Sequence, residues 1–170
     1  MHRGIRLVSP CFELSDTHAS YISEFVEREE ALVPWVLKLD ATDFHDYVAR
    51  LIGFSHGVGI KDGFVEHSTF WMVDAENTIV GVSNLRHRLT PELERIGGNI
   101  GFSVRPSKRR QGYATHLLAL TLDAAKSLPI GRVLLTCDEE NTGSRKAIMA
   151  NGGVLHTADE GIRRYWITLA

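Results

Sequence analysis

Apolar residues cluster in short runs that alternate with longer segments of helical spacing. Seven runs have the length of β-strands and are bounded by turn-forming residues such as Gly, Pro, Asn and Asp. They cover residues 5–8, 68–73, 78–85, 100–104, 132–137, 154–157 and 164–169. Four other segments place apolar residues three or four positions apart, which predicts amphipathic helices. These segments cover 16–32, 42–51, 111–127 and 142–151.

The order of these elements predicts an α+β fold. We expect a mixed, mostly antiparallel central sheet of about seven strands, with helices on both faces. The strand–helix–strand unit over 100–137 predicts one parallel crossover, which should be right-handed as such connections almost always are. Asp16 and Thr42 are the expected N-caps of the first two helices. Pro34 is the expected stop of the first.

Composition restricts the class of protein. The 170 residues are 44% hydrophobic and 24% charged, which is typical of a soluble globule, so residues 1–170 are expected to form a single domain. The net charge of −2 argues against a general nucleic-acid binder. Cys11 and Cys137 have neither a disulfide pattern nor metal-ligand spacing, so we expect no metal. Without a signal-peptide pattern or an apolar run near about 18 residues, a cytoplasmic protein that does not span a membrane is expected.

A basic turn precedes the third predicted helix. It carries Arg105, Lys108, Arg109 and Arg110, followed by Gly112. A helix N-terminus is electrostatically positive and favours anions, so cations there make sense if an outside anion completes the site. Glycine lets such a ligand approach the backbone closely. The sequence therefore predicts a phosphate site, and the alternative is a solvated basic turn.

A second polar motif follows the strand at 132–137. Asn141 and Thr142 are good helix caps, and Ser144 completes an Asn-x-x-Ser motif at the start of the fourth helix. The alternative is a plain N-cap without any contact to a ligand.

Together these motifs resemble the GNAT superfamily of N-acetyltransferases. The arrangement Arg109-x-x-Gly112-x-Ala114, with Pro106 and a strand before it, is similar to the family's pyrophosphate-binding signature. The order strand, Asn-x-x-Ser, helix is similar to the segment that contacts the pantetheine arm of coenzyme A. Neither a P-loop nor a dinucleotide-binding pattern of three glycines is present.

The resemblance runs from about Ser68 to the C-terminus. It includes marks of a bacterial subgroup at 68–74, 85–89 and 97–102. It divides the expected domain into a variable helical region on the substrate side, 1–62, and an acyl-CoA-binding core, 68–170.

The resemblance implies acetyl-CoA as co-substrate and assigns its contacts. The acyl-pantetheine arm would lie where the strands at 100–104 and 132–137 splay apart. The residues that would bind the cofactor are Phe102, Ser103, Val104, Arg109, Arg110, Gln111, Gly112, Tyr113, Ala114, Thr115, Asn141 and Ser144. The implied activity moves an acetyl group to a primary amine by direct attack in a ternary complex.

The proton transfers are less defined. Many GNAT enzymes have a tyrosine general acid where this chain has Ile148, so the proton donor stays open, with Tyr165 as one substitute. His87 follows a strand that should border the acceptor site, and its ordinary pKa near 6.5 suits a general base. Asp138 is the second candidate. The missing tyrosine keeps an alternative function open, a non-catalytic acyl-CoA binding or sensing module.

The acceptor is expected to be a small-molecule or peptide amine. Residues 1–62 hold ten acidic and six basic residues, not counting histidine. This balance would suit a cationic amine, and an ordinary acidic helix surface explains it equally well. The sequence leaves homodimer formation open.

Overall fold

The computed structural model describes residues 4–170, so residues 1–3 of the expected substrate-side region lie outside the described residues. The strands are β1 Arg6–Val8, β2 His67–Val73, β3 Ile79–Arg86, β4 Ile100–Val104, β5 Arg132–Asp138, β6 Val154–Asp159 and β7 Ile162–Thr168. The helices are α1 Ser15–Glu27, α2 Phe44–Ser55, α3 Pro91–Arg95, α4 Tyr113–Ala125 and α5 Thr142–Ala150. Short 3-10 turns cover Phe12–Leu14, Trp35–Lys38 and Pro106–Lys108.

The strands form two sheets instead of the single sheet predicted. The first has the order β1-β2-β3-β4 and the second the order β5-β7-β6. Every paired strand within residues 4–170 is antiparallel. The α+β class is confirmed, whereas the predictions of one seven-stranded sheet and of a parallel crossover within it are wrong.

A side chain replaces the expected ladder between β4 and β5. The backbone N–H of Asn99 donates to Leu134 O (2.7 Å), and Leu134 N–H donates to the Asn99 side-chain Oδ1 (2.8 Å). Asn99 Nδ2 also donates to Arg86 O (3.2 Å). Just before it, Gly98 passes so close to β5 that a Cβ would lie 2.3 Å from Leu134 O. The two sheets are therefore joined by the backbone and side-chain amides of Asn99, by Gly97 N–H, which donates to Thr136 Oγ1 (2.9 Å), and by a close backbone approach at Gly98.

Helices cover both faces of the first sheet, as predicted. Neighbouring residues of a strand point to opposite faces, so Trp71 packs in the core on the α1 and α2 side, whereas Met72 packs against Leu117 of α4. A further core cluster joins the second sheet to α4 and α5 through Leu118 and Ile148. The helical layers thereby bring the starts of α4 and α5 to the same end of the molecule as the C-terminal end of β4.

The first helix ends five residues earlier than predicted. It stops at Glu27, Glu29 takes the left-handed conformation with φ 55°, and Glu30 N–H bonds back to Phe25 O. The apolar spacing that continues to Leu32 therefore belongs to a non-helical segment, residues 28–34, that crosses toward the turn at Trp35.

Other boundaries also differ from the predictions. Asp16 does not cap α1, because the N-cap is Leu14 and Asp16 lies within the first turn. Asp43, and not Thr42, caps α2, because its side chain accepts from Asp46 N–H while Thr42 is bonded to Asp40. The connection predicted at 90–98 contains the short helix α3, which Thr90 caps.

The side-chain contacts of Asn99 lead to a prediction about stability. Asn99→Ala removes the partners of two buried backbone groups, Leu134 N–H and Arg86 C=O. We expect it to lower the free energy of unfolding by about 2–4 kcal/mol, since each unsatisfied buried group costs about 1–3 kcal/mol. Urea titration at unchanged slope measures the difference. Gln111→Ala, which removes an exposed amide, is the control. Equal midpoints for the two variants would contradict the assignment.

Candidate functional site

A large cavity lies where three elements converge. It has a volume of about 920 Å³ and opens between the C-terminal end of β4, the start of α4 and the start of α5. The segment that follows α1 forms the remaining wall. Of the predicted cofactor-binding residues, those that line this cavity are Phe102, Ser103, Val104, Arg109, Arg110, Gly112, Tyr113, Ala114, Thr115, Asn141 and Ser144. Gln111 is not among the lining residues.

The strand side of the cavity is anchored from beneath by a buried tyrosine. Tyr21 of α1 is fully buried, and its hydroxyl lies 2.8 Å from Ser103 Oγ and donates to Ser103 O at 3.0 Å. Burial raises the pKa of Tyr21, so the phenol stays protonated and able to donate. The contact fixes the C-terminal end of β4 against α1.

The start of α4 has the geometry of an anion site. Gly112 is its N-cap, with φ 82°, and offers no side chain to the first turn. Arg110, two residues earlier, is also left-handed, with φ 59°. The first N–H groups of a helix have no acceptor within the helix. With a glycine as cap, the N–H groups of this first turn lie beside the cavity, which residues 112–115 line.

One of the four cations of the basic turn is buried inside the fold. Arg105 is 5% exposed, and its guanidinium donates to Ile79 O (2.7 Å), Ser20 Oγ (3.0 Å) and Glu24 Oε1 (2.9 Å). Glu24 also accepts from the backbone N–H of Ser107 (2.9 Å). Arg105 therefore needs no outside anion, which corrects the expectation that all four cations serve a ligand.

A second cation is paired at the edge of the cavity. Arg109 donates to both carboxylate oxygens of Glu30, at 3.0 and 2.6 Å, and its guanidinium lies 5.5 Å from the centre of the Phe25 ring. The Arg109 hydrogen bond is the main cause that holds the pKa of Glu30 below its ordinary value. Lys108 and Arg110 also line the cavity, and neither forms an ion pair within the described residues.

The start of α5 is a structural cap that also borders the cavity. Asn141 is the N-cap, and its Oδ1 accepts from Ser144 N–H at 3.0 Å. Both residues also line the cavity, together with residues 142–143 and 146–147. Asn141 is thus both the structural cap of α5 and part of the cavity wall.

Neither Ile148, at the family's tyrosine position, nor Tyr165, the substitute donor, lines this cavity. Ile148 is fully buried in the core, and a Cβ on Gly153 would lie 2.4 Å from it. Tyr165 is 2% exposed in the same cluster. The core thus explains why the tyrosine position can be an isoleucine here, since the side chain packs inward.

The two predicted catalytic residues lie outside the cavity lining. His87 is half-buried, its Nε2 is 2.8 Å from Ser68 Oγ, and its backbone N–H donates to Glu66 O. Desolvation is the main cause that lowers the pKa of His87, so the ring is neutral at neutral pH. Asp138 is exposed at the end of β5. The structure does not bring His87 together with the predicted cofactor residues, whereas the backbone carbonyl of Asp138 accepts from Asn141 N–H (3.0 Å) although Asp138 does not line the cavity.

The segment after α1 supplies lining residues that the sequence did not indicate. The remaining wall is formed by Phe25 of α1 and by three residues that follow the helix, Glu30, Ala31 and Val33. The available signal was the acidic balance of residues 1–62, because Glu24 and Glu30 are the partners of Arg105 and Arg109. Part of that acidity therefore compensates the basic turn.

The described residues contain neither a candidate metal site nor a helix that could cross a membrane. Within 4–170, no group of three or more His, Cys, Asp or Glu side chains is placed to hold a metal ion. Each helix in that range is also too short or too polar for a membrane crossing.

A family comparison assigns the class. The profile described as an acetyltransferase (GNAT) domain matches residues 10–154. The chain therefore belongs to the GNAT acetyltransferase family, which confirms the resemblance seen in the sequence and the prediction of an acetyltransferase. Among curated proteins, no significant match is found.

Solved structures share the fold at low sequence identity. The microcin self-immunity acetyltransferase MccE, solved with acetyl-CoA and AMP, superposes with a TM-score of 0.69 at 12% identity, over 98% of this chain and 93% of that one. RimJ from Mycobacterium smegmatis, solved with a CoA-disulfide, gives 0.69 at 17% identity, over 96% and 81%. An acetyl transferase from Salmonella typhimurium that modifies the N-terminal serine of a 50S ribosomal subunit protein gives 0.66 at 13%, over 99% and 96%. At these identities the likeness concerns the fold alone.

The double role of Asn141 makes a second prediction. Asn141→Ala removes the N-cap and should lower the free energy of unfolding by about 1 kcal/mol. Asn141→Asp keeps the capping oxygen and should be close to neutral in stability, because a carboxylate also suits a helix N-terminus. Thermal unfolding of both variants measures the effect. A stable alanine variant would contradict the cap.

Proposed function

We propose that this protein is an N-acetyltransferase that moves the acetyl group of acetyl-CoA to a primary amine by direct attack in a ternary complex. One observation carries the proposal. The backbone of β4, the glycine-capped start of α4 and the start of α5 border a single cavity of about 920 Å³. That volume lies at the upper end of the usual range for ligand and cofactor sites.

The start of α4 is proposed to bind the pyrophosphate of the cofactor. Its first N–H groups would donate to phosphate oxygens, as helix N-termini do. Lys108 and Arg110 line the same cavity and form no ion pair within residues 4–170, so they are available to add charge. The charge of Arg109 is compensated by Glu30, so Arg109 is proposed to form part of the cavity wall.

The remaining proposed contacts are with the pantetheine arm and the thioester of the cofactor. Asn141 and Ser144 are proposed to contact the pantetheine arm, and the backbone of Phe102 to Val104 to hold the thioester oxygen. A hydrogen-bond donor at that oxygen stabilises the negative charge that develops during attack. The Tyr21 contact with Ser103 would keep this part of β4 in place.

The chemistry requires an uncharged amine. An alkyl ammonium has a pKa of about 10.4 and must lose a proton before it attacks. The amine nitrogen then bonds to the acetyl carbon, the carbon–sulfur bond breaks, the nitrogen gives up one proton to the base or to water, and the thiolate takes a proton from solvent. The thiolate is a fair leaving group, with a pKa of about 8.5. No side-chain acid is therefore required, which agrees with the inward-facing Ile148.

His87 stays the first candidate for the group that receives the amine proton. Because it does not line the cofactor cavity, the transfer is proposed to pass through water. Asp138 is the second candidate. The acceptor is proposed to be a small-molecule or peptide amine, in keeping with the ribosomal-protein terminus that the Salmonella typhimurium relative modifies.

A non-catalytic acyl-CoA binding module is the second candidate function. It is favoured by the burial of both Ile148 and Tyr165, which leaves the cavity without a tyrosine donor at either position. Consumption of acetyl-CoA over a panel of amines separates the two functions, since a binding module consumes none.

Substitution of the helix cap tests cofactor binding. Gly112→Asp places a carboxylate beside the proposed pyrophosphate, and Asp tolerates the left-handed conformation better than most residues. We expect the dissociation constant for CoA to rise at least about tenfold, which is about 1.4 kcal/mol. Gly112→Asn is the matched neutral variant and should bind more tightly than the Asp variant. Lys38→Glu, on an exposed lysine outside the cavity, is the charge control. Calorimetry that gives wild-type affinity for Gly112→Asp would refute the site.

Removal of the imidazole tests proton transfer. His87→Ala should lower kcat by about 100-fold, the usual contribution of a general base, and leave the dissociation constant for CoA unchanged. Because the pKa of His87 lies below its ordinary value of 6.5, wild-type activity should be full above that pH and fall as pH drops through the lowered pKa. The alanine variant should lose this acidic limb. If a pH–rate profile retains both kcat and the limb, Asp138 or solvent takes the role.

A further inference from the structure

A second, smaller cavity lies on the α1 and α2 side of the first sheet. Its volume is about 290 Å³, close to the lower limit for ligand pockets. Six large apolar side chains form its walls: Trp35, Leu39, Phe54, Val58, Ile60 and Phe64. Its size suits one ring or a short aliphatic chain.

Apolar surface is left exposed around this cavity. Val58 is 66% exposed and Phe64 47%, although both contribute to the walls. Large apolar side chains grouped in the open around a concave site are typical of a binding surface. The apolar rings inside are already ordered, with Trp35 and Phe64 edge to face at 5.2 Å. The pocket is therefore formed before any ligand enters.

The charges at the cavity have one sign. Arg50 and Lys61 line it, and no carboxylate does so among the described residues. Arg50 is 3.8 Å from Asp46 one turn earlier on α2, whereas Lys61 has no ion pair within residues 4–170. An apolar pocket with an uncompensated cation is complementary to an apolar molecule that carries a negative charge.

The floor of the cavity is neutral. His67 is 3% exposed, and its Nδ1 lies 2.8 Å from Asn84 Nδ2. Because an amide nitrogen only donates, Nδ1 accepts and the ring proton sits on Nε2. Desolvation lowers the pKa of His67 to about 4, so the ring adds no charge at neutral pH. Its ring centre is 4.9 Å from that of Phe54.

We propose that this pocket binds a small apolar carboxylate. The apolar body packs between Trp35, Phe54 and Phe64, and the carboxylate meets Lys61 at the mouth. Two kinds of ligand fit this description: the acetyl acceptor itself and a separate effector.

The position of the pocket relative to the cofactor cavity fits an acceptor. Pro34 and Trp35 are adjacent, and a Cβ on Gly101 would lie 3.5 Å from Pro34. Gly101 precedes Phe102, which lines the cofactor cavity. His67 lies on the second strand away from Gly101 and is offset from it by two residues along the strand direction. Together these offsets correspond to a distance of about 12 Å. An amine held about that far from the floor of the pocket would reach β4.

Direct binding tests the pocket without acetyl-CoA. The probes are 4-phenylbutyrate and 4-phenylbutylamine, which share an apolar body and differ in charge, titrated into the full chain by calorimetry. We expect the carboxylate to bind at least about fivefold more tightly, the equivalent of one exposed ion pair. Lys61→Met should remove this preference, and Lys126→Met, on a lysine outside the pocket, should retain it.

A blocking variant tests the location. Ala49 is exposed on α2 and lines the pocket, so Ala49→Phe should fill it and abolish binding of both probes at unchanged melting temperature. Phe64→Ala, at a half-exposed wall, should weaken both probes. Equal binding of the two probes to the wild type, or binding that survives both variants, would overturn the proposal.

Kinetics distinguish the two sources and rest on the proposed acetyl transfer. If the pocket holds the acceptor, 4-phenylbutyrate raises KM for the amine and leaves kcat unchanged. If it holds an effector, kcat or the affinity for CoA changes instead. The binding measurement needs no acetyl-CoA, so a failure of acetyl transfer and a failure of the pocket give separate results.

Discussion

A buried arginine, Arg105, ties the first helix to the rest of the fold. A charge removed from water costs several kcal/mol unless it is paired and fully hydrogen-bonded. Here the guanidinium finds its partners on two elements, Ile79 of β3 and Glu24 of α1, and Glu24 in turn holds the backbone of Ser107. The pairing is satisfied only when α1, the first sheet and the basic turn occupy their native places together. Two walls of the large cavity are therefore positioned by one electrostatic constraint.

Most local structure was predictable, because it depends on neighbouring residues. The strands, the Asn141 cap and the glycine-marked start of α4 follow from spacing and from the few residues that each position tolerates. The gap between the sheets was not predictable. It depends on whether the Asn99 side chain takes the place of a backbone partner, and apolar periodicity does not report such an exchange. The early end of α1 was missed for a similar reason, since Glu30 is held by Arg109, 79 residues away.

The candidate site likewise has one part that the sequence predicts and one part that it does not. The residues proposed to hold the cofactor lie on backbone features with recognisable local signals, and the structure gathers nearly all of them around one cavity. The groups proposed for proton transfer depend on side-chain direction and burial. Tyr165 is buried in the core and His87 is bonded to Ser68, outside the cavity lining. A sequence indicates which of these residues can titrate, and the packing determines which of them can reach a substrate.

The segment between α1 and the turn at Trp35 is a shared partition. Glu30, Ala31 and Val33 face the large cavity, and Trp35 faces the small apolar one. A ligand that shifts this partition from one side changes the space available on the other. Thermodynamic linkage then requires the influence to be mutual, so that each ligand alters the affinity for the other by the same factor. A few residues without regular structure would thereby couple the two cavities energetically.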